Sequence, residues 1–214
     1  IHERHYARYG DRFGGRIAGF FTDEPRFGNT IGYDRIIGKS RMPLPWAKEV
    51  DERLADTPLG NFARWIPLLW YDDAQERCRD ARYAYMDAVS ALFAENFTGQ
   101  LGDWCRAHGV RLVGHLVEEN GAHSRLGYGA GHYFRAIHGL DAAGIDVVDN
   151  LMPEQTDGCY ATMFNEYDCD FSHWGLAKMA SSAAHADPKK RGRTLAEAFG
   201  AYGWFEGLRL MKWI

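Results

Sequence analysis

A chain of 214 residues with 46% hydrophobic content has room for one domain, residues 1–214, built on a sizeable core. Its net charge, 25 − 29 = −4, and one short basic cluster (Lys189, Lys190, Arg191 and Arg193) argue against a nucleic-acid surface. No apolar run approaches the ~18 residues of a membrane span.

The basic cluster follows Asp187-Pro188 and reads as a solvated loop. Aromatic residues make up 14% of the chain, seven of them Trp, which suits both a core of large packing units and a cleft where ring faces stack on sugar C–H faces. The cysteines, Cys78, Cys105, Cys159 and Cys169, have neither CxxC nor zinc spacing. They read as free thiols, Cys78 and Cys105 on the apolar side of a helix, which favours a reducing compartment such as the cytoplasm. The chain opens Ile-His-Glu and closes Met-Lys-Trp-Ile in a helical pattern, so it reads as an internal piece of a longer protein.

Residues 2–10 predict the end of a helix, and 16–23 a first strand. That strand closes on Gly19-Phe20-Phe21-Thr22-Asp23-Glu24-Pro25. Pro25 cannot continue a central ladder and biases Glu24 toward extended backbone. A long loop runs to about residue 45, then a short helix to Ala55 and a partial helix over 61–69. From 72 to 108 apolar residues recur at steps of three and four, predicting a helix capped by Asp72-Asp73, weakened at Thr98-Gly99 and stopped by Gly109. Strands are predicted at 110–117, 144–150 and 194–199, with helices near 132–142, 171–186 and 205–214.

Alternating helices and strands imply a parallel sheet with right-handed crossovers. Each strand ends in acid: Asp23-Glu24, Glu118-Glu119, Asp146 to Asp149, and Glu197. Carboxylates gathered at the C-terminal ends of four parallel strands point to part of a (β/α)₈ TIM barrel. A dinucleotide-binding sheet is the competitor, but no G-x-G-x-x-G follows a strand.

Two carboxyls flanking a glycosidic bond serve as general acid and as nucleophile or base, and Glu24 and Glu197 are the candidate catalytic pair. Alternation puts His115, Val117 and Glu119 on one strand face and Gly114, Leu116 and Glu118 on the other. His115, Glu118 and Glu119 are candidate substrate contacts, with core packing the plain alternative for His115. Tyr202 and Trp204, set among glycines after Glu197, are candidates for a stacking platform.

Thr22-Asp23-Glu24-Pro25 resembles the strand-4 Asn-Glu-Pro motif of clan A glycoside hydrolases. In that clan the acid/base glutamate ends strand 4 and the nucleophile ends strand 7. Taking Glu24 as strand 4, strands 5 and 6 end at Glu118 or Glu119 and at Asp149, and strand 7 at Glu197, a separation of 197 − 24 = 173 residues. The resemblance thus implies a barrel fragment from about strand 4 to strand 7, its remainder elsewhere in a parent chain, and a retaining O-glycosidase that needs no cofactor. More loosely, Gly-Phe-Phe-Thr-Asp-Glu-Pro, Leu-Pro-Trp and Glu-Ala-Phe-Gly-Ala-Tyr-Gly-Trp resemble bacterial proteins labelled α-L-rhamnosidase or family-2-like. The chain departs from the clan at Asp23, where the clan has an Asn that contacts the sugar. Asp23 adds a charge beside Glu24, and either carboxylate is open to the role of acid.

Two other readings stand beside this one. A metal-dependent sugar isomerase or hydrolase would use His115, Glu119, His123 and Asp149 as ligands, since imidazole and carboxylate suit Mn or Zn. A carbohydrate-binding domain without catalysis would bind sugar and turn nothing over.

Overall fold

The protein is described by a computed structural model over residues 1–25, 27, 44–116, 129–147 and 174–198. The order of its main elements is α1 (His2–Tyr9), β1 (Gly19–Thr22), α2 (Lys48–Ala55), α3 (Arg77–Phe93), α4 (Gln100–Ala107), β2 (Arg111–Gly114), α5 (Tyr133–Ala136), β3 (Ala143–Val147), α6 (Leu176–Ala186) and β4 (Thr194–Ala198). Short 3₁₀ turns fill 62–64 and 66–69, where the sequence predicts a partial helix.

All four predicted strands form; β1 and β2 are shorter than their apolar patterns, and the predicted ends of β3 and β4 lie outside the described residues. β1 pairs with β2 and β3 with β4, both in parallel, with Thr22 opposite Gly114 and Asp146 opposite Glu197. The two pairs meet at β2 and β3. Asp141, just before β3, donates its N–H to Leu112 O at 2.8 Å, and its carboxylate accepts from Leu112 N at 2.9 Å. Further along, the backbones come so close that a Cβ on Gly144 would sit 1.7 Å from Gly114 O. Only glycine permits that approach. The strands therefore lie side by side in chain order, the arrangement that alternating βα units produce. Closure into a barrel is not seen among the described residues, and the predicted helix at 205–214 lies outside them.

One face of this strand set is covered by helices. Leu112, Ala143 and Ile145 pack with Cys105 of α4 and with Leu176, Ala180, Ala183 and Ala184 of α6. The α6 residues step by three and four, and their small side chains let the helix lie close to β3. A second core stands apart: Leu54 of α2, Phe62, Leu69 and Tyr85 of α3. Its side chains come from helices and turns, so the domain has two packing centres joined through α3 and α4.

The long helix departs from expectation at its start and keeps its predicted weak point and end. It starts at Arg77, not Asp72, because Glu76 turns left-handed at φ +57. Asp73 still caps it from upstream, accepting from Cys78 N at 2.9 Å and from Arg77 Nε at 2.7 Å. The predicted weak point is a π-helical segment, Ala94–Gly99. There Thr98 Oγ1 lies 2.6 Å from Ala136 O, a bond to a neighbouring element that competes with the helix ladder. Gly109, at φ +73, ends the run as the sequence predicts.

The basic cluster is not a solvated loop at Lys190, which is 1% exposed. Its ammonium donates to Ile137 O at 2.8 Å and Leu140 O at 2.7 Å, and pairs with Asp187 Oδ2 at 3.0 Å. Carbonyls at the end of the 3₁₀ turn after α5 need donors, and a long cationic side chain reaches them.

Candidate active site

β1 carries Asp23 and Glu24 to the point where Pro25 ends the ladder. Glu24 is not extended, as the proline rule predicts, but left-handed at φ +38. The left-handed residue stands directly before the proline. Non-glycine residues at positive φ are uncommon and strained, and such strain collects at functional sites.

His115 follows β2 directly. Gly114, at φ +152, swings the chain so that the histidine side chain is fully buried. Its ring lies 5.6 Å from that of Phe21 on β1. Nδ1 is 2.8 Å from Leu116 O; a carbonyl only accepts, so Nδ1 carries the proton. Nε2 points the other way, 2.9 Å from Glu197 Oε2 and 3.4 Å from Asp23 Oδ1.

The three residues come from three strand ends: Asp23 after β1, His115 after β2 and Glu197 within β4. One oxygen or nitrogen of each lies within 4.8 Å of those of the others. The histidine is sealed, whereas the carboxylate side chains are 67% and 44% exposed. The cluster is thus a fixed nitrogen at the floor of an open mouth. Asp146, in register with Glu197 and buried, brings a further carboxylate to the neighbouring strand.

Chemically the cluster has two states. With Nε2 protonated, the imidazolium donates to Glu197 and sits between two acids. With Nε2 unprotonated, its lone pair faces the space shared by the carboxylates, and the Nδ1–H bond fixes the ring as it does in histidine metal ligands.

The structure thus brings together Asp23, His115 and Glu197 of the expected residues. Glu24 stands next to the cluster in the chain but is not one of the three. Glu118, Glu119, Tyr202 and Trp204 lie outside the described residues, as do His123 and Asp149 of the metal alternative. One feature escaped sequence reasoning: beside Asp23 opens a cavity of about 560 Å³ walled by aromatic side chains, including Trp46, Phe93 and Phe97. The 93, 97 spacing reads as ordinary core periodicity, and the π-helical segment has no sequence signature strong enough to single it out. Comparison with protein-family models, curated proteins and solved structures finds no match to this chain.

Proposed function

We propose that this chain carries the catalytic carboxylates of a retaining O-glycoside hydrolase, on strands 4 to 7 of a (β/α)₈ barrel. The observation that carries the reading is the facing of Asp23 and Glu197 across His115, with their oxygens within 4.8 Å. Retaining enzymes hold their two carboxyls about 5 Å apart, close enough for one to attack the anomeric carbon while the other serves the leaving oxygen.

In this scheme Glu197 is the nucleophile. The His115 Nε2–H holds one of its oxygens in place and leaves the other for the sugar. Asp23 protonates the leaving oxygen and then draws a proton from the water that releases the sugar. Glu24, beside it at the strand turn, contacts a sugar hydroxyl. Glu118, Glu119, Tyr202 and Trp204 complete the sugar site.

Turnover of an alkyl and an aryl glycoside by Asp23→Asn, Glu24→Gln and Glu197→Gln tests these roles. Loss of the nucleophile costs about 10³-fold or more on both substrates. Loss of the acid costs about 10²–10⁴-fold on the alkyl glycoside and far less on the aryl one, whose leaving group needs no proton. Full turnover by Glu197→Gln sinks the proposal. An acid signature at Glu24→Gln instead of Asp23→Asn moves the acid by one residue.

The same cluster favours one other reading. One imidazole and two carboxylates, with the ring anchored through Nδ1, form a donor set suited to Mn²⁺ or Zn²⁺. A sugar isomerase or hydrolase would use such an ion to polarise a sugar oxygen. Metal analysis of protein purified without chelator separates the two readings.

A further inference from the structure

We propose that the cavity beside Asp23 is a binding site for a flat, uncharged aromatic group, the aglycone of the glycoside. The inference rests on the hydrolase reading for the word aglycone, and on the cavity alone for the ligand class.

The cavity measures about 560 Å³, inside the range that takes a small organic ligand. Its walls are built for ring contacts. Trp46 stacks on Tyr85 at 5.9 Å and 15°, and the Tyr85 hydroxyl donates to Pro45 O at 2.6 Å, which locks the pair. Trp46 itself stays 40% exposed, so its outer face is available. Phe93 and Phe97, which line the same cavity, lie 5.3 Å apart at 37°. Phe93 ends α3 and Phe97 sits in the π-helical segment, whose widened turn carries Phe97 and Asn96 to the cavity. Such segments are frequent at functional sites.

Charge narrows the ligand further. Among the described residues, the charged side chains lining the cavity are Asp23 and Glu49, both acidic, and no cation lines it. A carboxylate or phosphate entering there would meet like charge and, among the described residues, no cationic partner, at a cost that an uncharged ring avoids. Asp23 belongs to both the cavity and the carboxylate cluster, so a ring seated against Trp46 and Phe97 places its glycosidic oxygen at the residue that protonates it.

Calorimetric titration of the purified protein with naphthol and with naphthoate tests the site without turnover. The neutral ring binds at least about tenfold tighter than its carboxylate analogue. Phe97→Ala weakens naphthol about tenfold, and Glu197→Gln leaves it within about twofold. Glu49→Lys, a change at an exposed position, raises naphthoate binding about tenfold. Equal binding of the two ligands, no effect of Glu49→Lys, or loss of naphthol in Glu197→Gln overturns the inference. Failure to hydrolyse any glycoside, with this discrimination intact, overturns the hydrolase reading alone. Hydrolysis without the discrimination overturns the aromatic site alone.

Discussion

His115 Nε2 stands 2.9 Å from Glu197 Oε2 while its Nδ1 is held 2.8 Å from the Leu116 carbonyl. One ring thus ties the end of β2 to β4 across the intervening β3, and each nitrogen has a defined task. A hydrogen bond to a charged partner contributes about 1.5–3 kcal/mol. If the chain is the proposed hydrolase, His115→Ala is expected to lower kcat by about 10- to 150-fold with a smaller change in KM, because Glu197 would lose its orientation while the sugar contacts persist. Steady-state kinetics on one glycoside reads the split.

Chelation separates the two chemistries of the cluster. On the two-carboxylate reading, exhaustive treatment with EDTA leaves turnover unchanged, and the purified protein carries less than stoichiometric metal. Loss of activity that Mn²⁺ or Zn²⁺ restores assigns Asp23, His115 and Glu197 to a metal instead.

Gly144→Ala is expected to disrupt the strand set. A Cβ there would lie 1.7 Å from Gly114 O, and neither backbone can yield without moving β3 or the turn into His115. Overpacking of this kind costs about 1–3 kcal/mol and more where backbone is the obstacle. The measurement is urea denaturation. On the hydrolase reading, activity is expected to fall further than stability predicts, since Gly114 positions His115.

The Lys190–Asp187 pair makes a pH prediction. Burial works to raise Asp187, but the hydrogen bond from Lys190 and its charge outweigh it and hold the carboxyl below its usual range. A depressed folded-state value means that Asp187 stabilises the fold above the unfolded value of ~3.9 and that this stability is lost as pH falls through the lower folded value. Lys190→Met removes the larger lowering causes and leaves those of Lys189, so the variant's melting temperature depends less on pH in that acid window. At neutral pH the variant is less stable by about 3–5 kcal/mol, because Asp187 and two carbonyls lose a buried cation. Thermal melts of both proteins across the acid range provide the comparison.

Cys105 is fully buried, and burial pushes its thiol up to about 11, with Asp141 adding to the rise. Little thiolate exists at neutral pH, and the thiolate is the reactive form. A maleimide or disulfide reagent is expected to leave Cys105 unmodified in the folded protein and to label it in denaturant, as peptide mass mapping will show.

The chain's local features were legible in its sequence where one physical rule dominates. Steps of three and four marked α3, short apolar runs marked the four strands, and Gly109 marked the end of α4, because periodicity and left-handed tolerance act within a few residues. The same rules failed where a distant partner decided. Lys190 looked solvated because nothing nearby in sequence shows that the carbonyls of Ile137 and Leu140 await a donor. Glu24 was expected to be extended, yet it is left-handed directly before Pro25.

The candidate site divides along the same line. By itself the sequence determined that acids end the strands and that His115 lies close behind one of them. Only the tertiary structure decided which of them meet: Asp23, His115 and Glu197, from positions 92 and 82 residues apart (115 − 23 and 197 − 115), converge within 4.8 Å. That convergence depends on parallel register and on the glycine contact that seats β3 against β2. Each is a relation between segments, which no local pattern of residues encodes.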